Sequence, residues 1–217
     1  MPGTLYYFDA GARADCIRSL LFHSKFDFTD VRLTPEEFEE KKATGILPLG
    51  GLPCWDEEGI VTPQSGAILR MLGIRLGYYS CDPMTMWKID SIIDFVEDNA
   101  NGYYSYLTPI FTDSRFEENG GAQWIEVFWS KIVEVIEKRL SEHGEKFIAG
   151  TNRPTIADFK VFESLANTIH NKSSPVPSNV LDEVRDLVSG SPNFSRWNKT
   201  MVEELRVYME GKPPRPL

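Results

Sequence analysis

The chain has 217 residues, with 23 Lys and Arg against 32 Asp and Glu for a formal charge of -9, and 41% hydrophobic and 12% aromatic side chains. That apolar content suffices for a sizeable core and excludes disorder for the chain as a whole, while the acidic balance excludes a nucleic-acid binder, which needs a basic stripe against phosphates. Cys16, Cys54 and Cys81 are odd in number and far apart, so no disulfide framework is expected and a reducing compartment is favoured. No apolar run is long enough to span a membrane, and residues 1–7 lack the basic-then-apolar order of a signal peptide. The expectation is a soluble cytoplasmic protein with neither membrane nor nucleic-acid partners.

The run Thr4-Leu5-Tyr6-Tyr7-Phe8 ends at Asp9-Ala10-Gly11 and predicts a short buried strand. Ala14, Ile17, Leu20 and Leu21 recur at spacings of three and four, which predicts a helix over 13–23. Alternation over Phe26 to Leu33 predicts a second strand, and Thr34-Pro35-Glu36-Glu37 opens a second helix with a cap, a first-turn proline and early acids. Leu52-Pro53-Cys54-Trp55 and Ile60-Val61 flank Asp56-Glu57-Glu58-Gly59, the grammar of a hairpin whose glycine takes a positive φ. Residues 64–72 read as a helix.

From about residue 83 the strand signal ends. Ile89, Ile92, Ile93 and Val96 make one apolar stripe, and Ile125, Phe128, Trp129, Ile132, Ile136 and Leu140 another. Thr155 with Asp158 is a capping box for a helix running toward His170, and further helices are expected over 180–189 and 194–209, ahead of a proline-rich tail. The composition shift divides the chain into domains 1–79 and 80–217.

There is no GxGxxG, Walker loop or HExxH, and His23, His143 and His170 are isolated, so nucleotide-fold, zinc-protease and His-triad chemistry lack their parts. Cys16 lies near the start of the first helix without a CxxC partner, and reads as a packed thiol rather than a nucleophile.

A more specific constellation is Leu5-Tyr6-Tyr7-Phe8, Arg13-Ala14-Asp15, Leu52-Pro53 and Thr62-Pro63-Gln64-Ser65-Gly66-Ala67-Ile68, followed by the acidic helix near Asp94 and the Thr155 to Phe159 cap. In order and spacing the chain resembles the cytosolic glutathione transferases over nearly its whole length, and the sigma class most. The resemblance implies an α/β thioredoxin-like N-terminal domain, an all-α C-terminal domain and a homodimer. Glutathione would be the co-substrate, with no metal, and the partner substrate a small hydrophobic electrophile.

The residues suit thiol activation. The thiolate of γ-Glu-Cys-Gly is the nucleophile, and lowering a thiol pKa of about 8.5 by two units takes roughly 2.7 kcal/mol, the size of one hydrogen bond to a charged acceptor. Tyr7 matches the family's catalytic phenol; Tyr6, on the opposite strand face, is its rival, and both could instead be core aromatics. By resemblance Arg13 adds positive potential near sulfur, and Leu52-Pro53 is a cis bond exposing the Leu52 main chain to the cysteinyl unit. Gln64 and Ser65, at a helix start, receive the γ-glutamyl end. Lys42 matches the family's glycyl-end lysine, while Phe38 stands where a Trp is usual and Gly51 where a Gln is usual.

Asp90, Asp94, Glu97 and Asp98 form an acidic face, ordinarily a solvated one. By resemblance Asp98 reaches the α-amino group of glutathione on the other subunit. Tyr103, Tyr104 and Tyr106 either line the electrophile pocket or pack internally. The expected activity is conjugation of glutathione to hydrophobic electrophiles. A glutathione-dependent isomerase or peroxidase, and a non-catalytic crystallin-like protein, are the alternatives.

Overall fold

A computed structural model describes residues 2–112, 121–144 and 146–212, without the side chains of 101–112 and His143. Four strands form one mixed sheet in the order β2-β1-β3-β4. β1 (Gly3–Phe8) and β2 (Phe28–Leu33) are parallel, with Tyr7 opposite Arg32. They are joined by the helical crossover that parallel neighbours require, α1 (Asp15–His23). After α2 (Pro35–Ala43), β3 (Cys54–Glu57) pairs antiparallel with β1 and forms a hairpin with β4 (Ile60–Pro63). α3 (Ser65–Leu76) closes this half.

The strand alternation appears as expected: Gly3, Leu5 and Tyr7 face the core, and Thr4, Tyr6 and Phe8 are half-buried. Gly3 cannot be replaced without moving its neighbour, because a Cβ there would sit 2.0 Å from the Trp55 ring. The hairpin turns through Glu58 and Gly59, both at positive φ.

In this half three boundaries differ from the sequence pattern. The helix expected over 13–23 opens as a 3-10 turn, Ala12–Ala14, because Ala12 at φ 44 cannot sit inside an α-helix. The second strand begins at Phe28 rather than Phe26. Lys25 is left-handed at φ 56, and the Phe26 and Lys25 N–H groups bond back to Leu21 and Phe22, so these residues cap α1 instead. Finally, α3 runs past 72 to Gly77, whose φ of 79 ends it.

Beyond Pro83 the regular elements among the described residues are all helical. α4 (Pro83–Thr112) is followed by a helical stretch with a π-turn at Ile125–Trp129 that runs into α5 (Ser130–His143). α6 (Ile156–Asn167), α7 (Ser178–Gly190), α8 (Pro192–Glu204) and α9 (Arg206–Gly211) follow. Both expected apolar stripes are buried. The helix expected toward His170 stops at Asn167, where the Thr168 and His170 N–H groups both turn back to Leu165. The helix expected over 194–209 breaks at Leu205, which leaves helical geometry with its side chain buried. The tail beyond Lys212 lies outside the described residues.

α6 is buried along its entire length and packs on α1, α3 and α4. Its capping carboxylate, Asp158, accepts from Thr155 N at 2.8 Å, Ile148 N at 3.0 Å and Trp197 Nε1 at 2.8 Å. Burial pushes the Asp158 pKa up, and these donors pull it back. One side chain thereby fastens the start of α6 to the preceding loop and to α8.

Candidate functional site

The chain between α2 and β3 folds over the end of the sheet and meets the start of α3. The Leu52-Pro53 peptide is cis, and β3 begins immediately afterwards. Across from it, Gln64 takes φ 76 and ψ 113, a conformation that costs a non-glycine residue of order 1–3 kcal/mol. This sharp entry leaves Ser65 buried at the first position of α3 and the Gln64 side chain exposed. The first N–H groups of a helix have no intrahelical acceptors, and the turn brings those of α3 to the same cleft. Arg13 completes it from the 3-10 turn. Arg13, Leu52, Pro53, Gln64 and Ser65 thus line one cleft of about 160 Å³, beside Leu49, Gly51 and Pro63.

Tyr7 is buried, 7% exposed, and does not itself line the cleft. Its phenol lies near the Arg13 backbone N–H. Burial, aided by the charge of Glu163, pushes its pKa up to about 12, against the pull of that N–H and of the Arg13 and Arg18 charges. Tyr7 therefore keeps its proton at neutral pH and is a hydrogen-bond donor rather than a base. Tyr6 faces the other way, with Lys41 Nζ 4.9 Å from its ring centroid.

Arg13 Nη1 is 2.9 Å from Glu97 Oε2, joining the 3-10 turn to α4. Glu97 Oε1 lies 2.7 Å from Lys160 Nζ, and Lys160 is 3.3 Å from Glu163 Oε2. Burial alone would raise the Glu97 pKa; Lys160 and Arg13 overcome it and hold the carboxyl below its ordinary range. Lys160 and Glu163 escaped the sequence reading. Their signal was two opposite charges three residues apart in the mostly apolar run Phe159 to Ala166.

The remaining expected residues sit at the margins. Phe38 packs its ring against Phe8 at 5.2 Å, and Lys42 extends from α2 over Phe38 toward Gly50. Asp98 is exposed on α4 and does not line the cleft. The acidic face is engaged rather than simply solvated: Asp90 and Asp94 both bind Arg70, and Glu97 binds Arg13 and Lys160. The side chains of Tyr103, Tyr104 and Tyr106 lie outside the described residues. Cys16 is buried, as expected of a packed thiol.

Residues 97–201 match the family model described as the glutathione S-transferase C-terminal domain. The chain is 27% identical to glutathione S-transferase alpha-4 of Rattus norvegicus, covering 97% of this chain and 90% of the relative. Among solved structures, the glutathione S-transferase of Ascaris lumbricoides covers the whole chain and is covered whole, at 24% identity and a TM-score of 0.81. A monomeric glutathione S-transferase from Necator americanus does the same at 22% identity and 0.83. At these identities the two structures establish the fold.

Proposed function

We propose that this chain, which belongs to the glutathione transferase family and is a transferase with glutathione as co-substrate, binds γ-Glu-Cys-Gly in the cleft between Leu52-Pro53 and the start of α3. There it activates the thiol for attack on hydrophobic electrophiles. The observation that carries this reading is the convergence of Arg13, Leu52, Gln64 and Ser65 on one cleft, with the Tyr7 phenol near the Arg13 N–H.

Each part of the tripeptide has a chemical counterpart. The Leu52 main chain pairs with the cysteinyl unit as an added strand does. Gln64, Ser65 and the N-terminus of α3 receive the γ-glutamyl carboxylate. Lys42, with Phe38 alongside, attracts the glycyl carboxylate. Tyr7 donates its phenolic hydrogen to sulfur, and Arg13 supplies positive potential. The thiol proton passes to solvent; the sulfur lone pair then forms the C–S bond, and the electrophile's leaving group departs with its electron pair.

The same reading includes a cytoplasmic, detoxifying homodimer. Its support is the set of exposed apolar side chains Met71 and Ile74 on α3 and Met84 and Trp87 on α4, and three free cysteines. The sigma-like assignment rests on Tyr7-Phe8, Arg13-Ala14-Asp15 and the acids of α4. Retention on immobilised glutathione, followed by turnover of a dinitrobenzene halide, tests the activity. Retention without turnover of any electrophile would replace this reading by a non-catalytic one, and isomerisation or peroxide reduction in place of conjugation would redirect it.

A further inference from the structure

The charge chain behind the cleft does not end at Arg13. The Glu97 carboxylate is divided, one oxygen toward Arg13 and the other toward Lys160, and Lys160 is in turn held by Glu163. Lys160 is 3% exposed, on a helix whose residues are all buried. Burial works against its ammonium, and Glu163, the Cys16 sulfur and Glu97 more than offset that, pushing its pKa up. A deeply buried lysine is costly unless it is paired.

Every element around this ammonium contributes a charged or titratable group. α4 brings Glu97, α6 itself Glu163, the 3-10 turn Arg13, and β1 Tyr7. α1 brings Cys16, whose thiol donates to the Arg13 carbonyl at 3.5 Å, and Asp15, which is paired with Arg18 and with Lys212. Lys160 makes direct ion pairs with both Glu97 and Glu163.

We propose that Lys160 is a positioning residue for thiol activation: from the helical half of the chain it fixes and shares the Glu97 carboxylate, so that Glu97 orients Arg13 at the cleft without cancelling its charge. The proposal rests on the reading of the cleft as a glutathione site. Without Lys160 the Glu97 carboxylate falls to Arg13 and a buried positive charge is lost from the interior behind the cleft. The potential at the sulfur position becomes less positive, and the bound thiol holds its proton more tightly.

The test is the pKa of enzyme-bound glutathione, read from thiolate absorbance against pH, with kcat/KM profiles alongside. Lys160→Met is expected to raise it by about half to one unit, lowering kcat/KM roughly three- to tenfold below that pKa. Lys160→Arg, which keeps the cation, is expected to restore most of the wild-type value. Val161→Ala loses packing on the same helix without touching the charge chain, and should leave the thiol pKa unchanged. A folded Lys160→Met protein with the wild-type thiol pKa overturns the proposal, as does an equal shift in Val161→Ala. If Lys160→Met does not fold, the charge-paired variant Lys160→Met/Glu163→Gln is read instead, with the same rise expected and an unchanged value decisive against it. Failure of the wild type to bind glutathione or to lower its thiol pKa would instead refute the site itself.

Discussion

Tyr6 and Tyr7 are consecutive on β1 and serve opposite faces of the sheet: Tyr7 is buried with its phenol near the Arg13 N–H, and Tyr6 lies under Lys41 of α2. If Tyr7 donates to sulfur, Tyr7→Phe removes a hydrogen bond to a charged acceptor, about 1.5–3 kcal/mol, or roughly 10- to 150-fold in kcat/KM. Glutathione affinity should change little, and Tyr6→Phe should stay within about twofold of wild type. Steady-state conjugation kinetics check both. Greater damage from Tyr6→Phe would reverse the assignment of the two faces.

Asp158 is expected to be among the costliest single positions for stability. Asp158→Ala leaves the Ile148 and Thr155 N–H groups and the Trp197 indole without their acceptor. Abandoned buried donors cost about 1–3 kcal/mol each. A loss of about 3 kcal/mol or more is expected, which for a chain of this size lowers Tm by roughly 6–12 °C. Urea unfolding with a thermal scan decides it; a loss under about 1 kcal/mol would mean that the donors find other partners.

The elements that announced themselves in the sequence are those whose signal is local. Thr34 and Glu37 form the reciprocal cap their spacing implied, and the isoleucine stripe of 89–96 is buried as its period required. What escaped was set by distant partners. Ala12 turns left-handed where the helical period continues, and Leu205 breaks a helix whose period also continues. Lys160 and Glu163 carry charges that by themselves give no sign of burial, and they are interior because α1 and α4 pack over their helix. The cleft residues were legible only through family resemblance, since no periodicity relates Arg13 to Leu52 or Ser65.

Glu97 gives the acid limb of stability a definite sign. Its pKa in the folded chain is lowered, burial being outweighed by Lys160 and Arg13. Its contribution is therefore present above the ordinary carboxylate pKa of about 4.3 and is lost as pH falls through the lower folded value. Glu97→Gln removes that contribution. The stability gap between wild type and variant should be widest near neutrality and shrink toward pH 3, measured by urea unfolding across the range. A gap that widens with acid would mean that the ion pairs do not favour the folded state.

Asp98 is exposed on α4, one residue beyond the Glu97 link to Arg13. If it serves glutathione bound to a second copy of the chain, Asp98→Asn should raise KM for glutathione about three- to tenfold with little change in kcat, as loss of a ground-state contact does. Sedimentation velocity supplies the companion measurement. A fully active monomer would remove the basis for the prediction.

Gly51 lines the cleft, at the position where the family resemblance implies a glutamine, so its substitution tests the binding loop directly. Of the Gly50-Gly51 pair only Gly50 takes a positive φ, at 64. A Cβ built on Gly51 meets nothing within 4 Å, so Gly51→Gln should fold without strain. A glutamine amide there would add one neutral hydrogen bond to the tripeptide, about 0.5–1.5 kcal/mol, or roughly two- to twelvefold in affinity. Ordering a flexible side chain works against that gain, which favours the lower half of the range. Calorimetric titration of both proteins with glutathione, alongside melting curves, measures it. Unchanged affinity in a mutant of normal Tm would mean that the tripeptide does not pass Gly51, and the Leu52 main chain would then lose its assigned partner as well.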